Sequence, residues 1–234
     1  MKKLLASFAI CGVLAGGAFA LTFEASAGGA YGFTSLTQKT TSGDVTTTSK
    51  TTDNSFGAKA AVTANINRDL GIQFEGSFLW PTKYKTTTSY SNSETVNTYE
   101  GDRSNSFVFN GFIGPVYNLS LTRALKLRLG AGFDFAYNKY TTTTSVTVLS
   151  STTTYTDTTS YWSYGIAAKA DAIYKINKNL DLKAGLTCGY LWGNSSKSVT
   201  TTTINNNTNK TENSGAFNAN GLYLIPDISI SYRF

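Results

Sequence analysis

"LYLIPDISISYRF", residues 222–234, alternates to its last letter. Leu222, Leu224, Pro226, Ile228, Ile230, Tyr232 and Phe234 share one face, while Asp227, Ser229, Ser231 and Arg233 share the other. A period of two is the mark of a β-strand with one apolar and one polar side. The final residues of a soluble chain usually fray into a polar tail, because little holds them in place. Here the strand pattern runs through the final residue, so the end of this chain is expected to be part of a sheet.

The same alternation recurs upstream. Residues 21–33, 56–66, 70–80, 107–117, 125–137, 162–176 and 180–192 each carry one wholly uncharged face, which brings the count to eight segments. The intervening positions hold nearly all of their charge: Glu24, Lys59, Glu75, Lys126, Arg128, Asp134, Lys169, Asp171, Lys175, Asp181, Lys183, Asp227 and Arg233, seven bases and six acids. A soluble β-sandwich would also alternate, burying its apolar face and wetting its charged one. Three features favour a membrane barrel instead. The segments are ten or more residues long, which suits the roughly 9–11 residues of a tilted membrane-crossing strand better than the roughly 5–6 of a globular one. Connections alternate between short (67–69, 118–124, 177–179) and long (37–55, 81–105, 138–160, 193–215). Aromatic residues, finally, gather at the segment ends. Toward the long loops stand Phe33, Phe56, Trp80, Phe107, Tyr137, Trp162 and Trp192; toward the short turns stand Phe23, Tyr117, Tyr174 and Tyr232, with Phe234 beside them. Two such levels with smaller apolar residues between them are the girdles of an outer-membrane barrel. In lipid an open sheet edge leaves backbone groups unsatisfied, so the sheet is expected to close. The expected fold is all-β: a closed eight-stranded antiparallel up-and-down transmembrane barrel over residues 21–234, with four long, partly hairpin-like extracellular loops and both termini periplasmic. Pro115 and Pro226 fall inside strands and predict a bulge or gap, since each lacks a ladder donor.

Composition agrees. Charged residues are 15% and aromatics 13%, against roughly 25% charged in an ordinary soluble domain. The chain has no histidine and two cysteines, Cys11 and Cys188, which leaves no disulfide scaffold, no ordinary zinc site and no histidine-based acid–base chemistry. The net charge of +6 is not clustered, so nucleic acid is not an expected partner. The opening "MKKLLASFAICGVLAGGAFA" has two lysines, a short apolar run and a small-x-small close at Ala18 and Ala20, the pattern of a signal peptide over residues 1–20. A second small-x-small at Ala25 and Ala27 leaves cleavage open between Ala20 and Ala27.

On these features the chain resembles the small eight-stranded outer-membrane barrels of the OmpX and OmpA-transmembrane type. The likeness covers residues 21–234 and rests on architecture and on the terminal "YRF". In that family a final phenylalanine, preceded by apolar or aromatic residues at alternate positions, is the signal read by the barrel-insertion machinery. Ile230, Tyr232 and Phe234 match it. With no peptidoglycan-binding domain after the barrel, the likeness is to OmpX rather than to full-length OmpA. It implies a Gram-negative outer membrane, lipid contact, and a part in adhesion and surface defence.

An eight-stranded barrel is just wide enough for side chains to fill. Its inward charges must pair to offset desolvation; Glu24, Lys59, Glu75, Lys126, Arg128, Asp134, Lys169, Asp171, Lys183, Asp227 and Arg233 are therefore expected to form a nearly neutral plug. The alternative is a narrow porin-like path for ions or small solutes, which rings of one charge sign would serve better. No cofactor, metal or catalytic group is expected; Glu94, Glu100 and Asp102 in one loop read as solvated charge and Cys188 as an apolar filler. The long loops, such as "TQKTTSGDVTTTSKTTDNS" (37–55), have threonine-rich arms about a turn-like centre. That predicts ribbons that protrude beyond the membrane and offer edges or tyrosines (Tyr84, Tyr90, Tyr99) to an extracellular protein or surface ligand.

Overall fold

Each alternating segment becomes a strand, and most run far past the girdles. The structure, a computed structural model, describes residues 22–42, 44–103, 105–148, 151–204, 207–215 and 219–234. The expected signal peptide, residues 1–20, lies outside the described residues, as do Gly43, Leu149, Ser150, Asn205 and Asn206 within the long connections 37–55, 138–160 and 193–215. Among the described residues there are ten strands: β1 (Thr22–Ser42), β2 (Val45–Asn65), β3 (Leu70–Tyr90), β4 (Ser93–Asp102), β5 (Phe107–Ser120), β6 (Leu125–Val148), β7 (Ser151–Lys175), β8 (Leu180–Ile204), β9 (Asn207–Gly215) and β10 (Ala219–Arg233). Every pairing is antiparallel, and β10 pairs with both β1 and β8, so β1, β2, β3, β5, β6, β7, β8 and β10 close a ring of eight.

The ring explains the polarity of its strands. Its outer surface carries exposed Phe74, Ile113, Leu129, Ile166, Leu186 and Ile228, an apolar band with no water-facing purpose. A closed ring leaves no unpaired backbone edge, so this band can meet lipid without exposing an unsatisfied N–H or C=O.

Above the band the strands continue as two separate sheets. β1, β2, β3 and β4 pair in that order up to Ser42↔Val45, Thr47↔Tyr90 and Tyr90↔Ser93. β6, β7, β8 and β9 do the same up to Val148↔Ser151, Thr153↔Ile204 and Ile204↔Asn207. The threonine-rich arms supply the β-branched residues that such ribbons favour. Facing hydroxyls join them, as in Thr51–Thr86 (2.9 Å) and Ser49–Thr88 (3.2 Å).

All three prolines sit where a ladder is broken. The β1–β10 register skips from Ala30↔Asp227 to Phe33↔Leu224 around Pro226, and β5–β6 skips from Ile113↔Phe133 to Val116↔Gly130 around Pro115. Pro81 adjoins a bulge where Ser55 pairs with Pro81 but Asn54 pairs with Lys83, leaving Thr82 as the extra residue. That bulge has a consequence. Inward positions on β3 are odd-numbered up to Pro81, and an unbroken strand would turn Lys83 and Lys85 inward. The extra residue reverses the parity, so Tyr84 and Thr86 face inward instead.

The short turns at the other end repeat one design. Asn67 Oδ1 accepts the N–H groups of Asp69 (2.9 Å) and Leu70 (2.7 Å). Asn177 Oδ1 does the same for Asn179 and Leu180 (both 2.9 Å), and Thr122 Oγ1 for Ala124 (3.2 Å) and Leu125 (3.0 Å). The sequences "INRDL", "LTRAL" and "INKNL" (66–70, 121–125, 176–180) are the trace of that shared geometry. Side-chain carbonyl and hydroxyl oxygens cap a turn in this way when they sit two and three residues before the donors.

Candidate functional site

Inside the ring, from the short-turn end upward, the side chains form layers. The lowest is a vestibule of about 170 Å3 lined by Arg68, Asn118, Lys126 and Arg233. Above its floor Arg128 grips Glu24 with two bonds of 2.9 Å and reaches Asn118 at 2.8 Å. Arg233 meets Asp181 at 2.6 Å. Lys126 stays half-buried in the vestibule and Lys175 is exposed at the rim, outside the lumen. At mid-height Lys59 lies 2.7 Å from both Glu75 and Asp227. Lys169 also contacts Glu75 and stands 3.4 Å from Asp171, with Lys183 at 3.9 Å on the other side of that carboxylate. Asp134 accepts from Asn110 at 3.0 Å. These groups are buried, and a buried charge without such a partner would be costly.

The next layer is one that sequence reading missed. Leu79, Phe112, Ala136, Ala167, Leu191 and Ile225, with Ala30 and the Tyr223 ring, form an apolar cluster across the lumen. They occupy the rows assigned to charge, and their apolar character at the outer ends of those rows was the available signal. The gap above them is about 10 Å3, at the lower limit for one water.

Over this layer lies the mouth. Leu36, Tyr140 and Tyr161 make its apolar floor, with Val108 packed against them. The two protruding sheets rise on either side and enclose a cleft of about 280 Å3, walled by Ser49, Thr51 and Thr86 from one sheet and Thr142, Asp157 and Thr159 from the other. Arg103, in the link between β4 and β5, spans it. Its guanidinium lies 4.3 Å from the Tyr84 ring centre and 4.4 Å from that of Tyr140, and its Nε donates to Asp53 Oδ1 at 2.9 Å. Asn105, with φ of 49°, turns the chain down into β5; asparagine tolerates that left-handed conformation better than most residues. Burial pushes the Asp53 carboxyl above its ordinary range despite the pull of Arg103, and it pushes the Tyr140 phenol up as well. The other carboxylate oxygen, Oδ2, is buried with no hydrogen-bond partner. Nothing in the local sequence pairs Asp53 with Arg103, fifty residues apart; the curl of the sheet does.

On the outer face, aromatic rings touch in sequence around the long-loop rim: Phe56–Trp80 (6.1 Å), Trp80–Phe78 (5.0 Å), Phe78–Phe107 (5.2 Å), Phe107–Tyr137 (5.8 Å) and Tyr137–Trp162 (5.0 Å). Phe33 and Trp192 are exposed on the same side of the band, and Phe23, Tyr117, Tyr174 and Tyr232 toward the turns. Ile230 and Phe234 are exposed as well, and the Phe234 N–H donates to the Phe23 carbonyl at 2.9 Å, which ties the last residue to the first strand. Both chain ends of the ring are on the short-turn side.

No family model and no curated protein matches the chain. Among solved structures, it is similar to a major outer membrane protein from Thermus thermophilus, over 92% of this chain and 100% of that one, at 14% identity and a TM-score of 0.58. OprG from Pseudomonas aeruginosa aligns over 93% and 98% at 10% identity and a TM-score of 0.47. Neisserial surface protein A aligns over 92% and 97% at 12% identity and a TM-score of 0.44. The Thermus likeness carries the conclusion, which concerns fold: this chain has the architecture of an outer-membrane β-barrel.

Proposed function

We propose that the protein is a non-conducting, non-enzymatic surface barrel of a Gram-negative outer membrane, whose protruding ribbons make contacts outside the cell. The observation that carries this reading is the apolar layer between mouth and vestibule. An ion entering the lumen would have to shed its water against Leu79, Phe112 and Leu191 and then pass the paired charges below. Opposite charges in contact hold one another rather than a moving ion. The charge network, in this reading, is a structural plug, and the aromatic bands mark the two lipid interfaces. The short turns and both termini face the periplasm, and Ile230, Tyr232 and Phe234 serve as the address for the insertion machinery.

The ribbons are the part left to meet a partner. Among the described residues β4 pairs only with β3, and β9 only with β8, so each sheet ends in an open edge. Such edges accept a further strand from another protein. Single-channel recording of the refolded protein in a planar bilayer tests the reading. Folded protein, identified by heat-modifiable gel migration, should be silent. Reproducible opening steps would replace this reading with that of a narrow channel.

A further inference from the structure

The cleft at the mouth is a different feature from the ribbon edges, and it has the chemistry of a small binding site. Its 280 Å3 lies just below the roughly 300–1,000 Å3 of small-molecule pockets, which suits a single ring-sized ligand. Its floor is formed by Leu36, Tyr140 and Tyr161. Asp53 and Arg103 stand side by side on this floor, one offering an acceptor and the other donors. Asp53 Oδ2 lacks a hydrogen-bond partner although it is buried, a condition native proteins rarely keep without use.

We propose that the cleft binds one neutral saccharide unit of an extracellular glycan, with its hydroxyls on Asp53 and Arg103 and its C–H groups toward the apolar floor. A sugar hydroxyl both donates and accepts, so two neighbouring hydroxyls satisfy a carboxylate and a guanidinium together. Leu36 and the tilted pair of Tyr140 and Tyr161, with centres 6.1 Å apart, are buried beneath the cleft. Arg103 lies over the Tyr140 ring, so these side chains form an apolar floor rather than a free stacking face. Ser49, Thr51 and Thr159 line the walls with further hydroxyls. Charged ligands fit less well. Asp53 and Arg103 neutralise each other, so the pair offers no net charge to an ion, and the aromatic cage suited to a cation already holds Arg103. This proposal does not depend on whether the lumen conducts.

The test uses the whole refolded barrel in lipid nanodiscs. Glucose, galactose, N-acetylglucosamine, maltose and lactose are screened by saturation-transfer NMR, and any that bind are titrated. At least one should saturate, and its affinity should fall ~10-fold or more in Asp53→Asn and measurably in Thr159→Val. Gel migration must report both variants as folded; Thr159→Val keeps side-chain shape, so it remains informative if Asp53→Asn misfolds. Binding unchanged in the folded variants, the absence of any saturable sugar, or preferential binding of free arginine would each overturn the proposal, the last in favour of a cation site. Nanodiscs with and without a glycolipid bearing the bound sugar separate the two sources. Competition by the glycolipid points to a membrane headgroup, and its absence to a free or cell-surface glycan. A barrel that conducts and still binds sugar would remove the closed-lumen reading and leave this one standing.

Discussion

Lys59 and Lys85 stand on the neighbouring strands β2 and β3, and each touches a glutamate, yet their circumstances differ in kind. Lys59 is about 2% exposed and is held between Glu75 and Asp227 inside the ring. Lys85 is 56% exposed, and its partner Glu100 64%, on the outside of a protruding ribbon. Below the rim, lipid outside and a crowded lumen inside dictate which way every side chain faces. Above it, water lies on both sides and threonine serves on either. One continuous strand thus passes from a region where a single misplaced charge is costly to one where the same charge is tolerated.

The largest break in this contrast should come from Arg128. Arg128→Ala leaves Glu24 buried without its two bonds and should lower stability by about 3–5 kcal/mol, read by urea unfolding in lipid vesicles. Lys85→Ala should leave the same curve in place; equal effects for the two would erase the distinction between the regions.

Next comes the outer face. Ala168 lies on the lipid side midway along the β7 crossing, between Trp162 and Tyr174. Ala168→Arg should cost about 2–4 kcal/mol, whereas Thr98→Arg on the exposed β4 edge should fold as well as the parent. If both insert with equal yield, the apolar band is not meeting lipid.

A smaller effect is expected within the ribbons. Thr51→Val removes one hydroxyl pair with Thr86 and should change stability by about 0.2–1 kcal/mol, best seen as faster amide exchange in the upper halves of β2 and β3 with the ring unaffected.

The smallest concerns pH. Burial raises the Asp53 pKa above its ordinary 3.8, so its ionised form costs stability at neutral pH, and the cost is relieved as pH falls through the folded-state value. The difference in stability between the parent and Asp53→Asn should therefore shift toward the parent on going from pH 7 toward 4. Glu100 has the opposite sign, its pKa held down by the hydrogen bond and charge of Lys85, but it is exposed to solvent, and Glu100→Gln should show no measurable pH effect of its own. A parent that loses ground to Asp53→Asn on acidification would show that Arg103 outweighs burial at this site.

How much of this is legible in the sequence follows from the range over which each signal acts. Alternation between neighbours is a local property, so the eight crossings, the lipid face, the rim aromatics and even the repeated "INRDL", "LTRAL" and "INKNL" turns are written in contiguous letters. The hairpin arms are too, because β-branched runs about a polar turn can hardly do anything else. What the letters do not contain is the stagger with which eight tilted strands close. That stagger decided that Arg128 meets Glu24, 104 residues away, and that Lys59 sits between Glu75 and Asp227. It also gathered Leu79, Phe112, Leu191 and Ile225 into one layer. The bulge at Thr82 then turned Tyr84 rather than Lys83 toward the mouth, where Arg103 and Asp53 complete the cleft. Which face of each strand meets lipid is settled by the letters alone, because it depends only on the period of two. Which inward groups become neighbours is settled only when the ring closes, because that depends on the relative height of strands far apart in the chain.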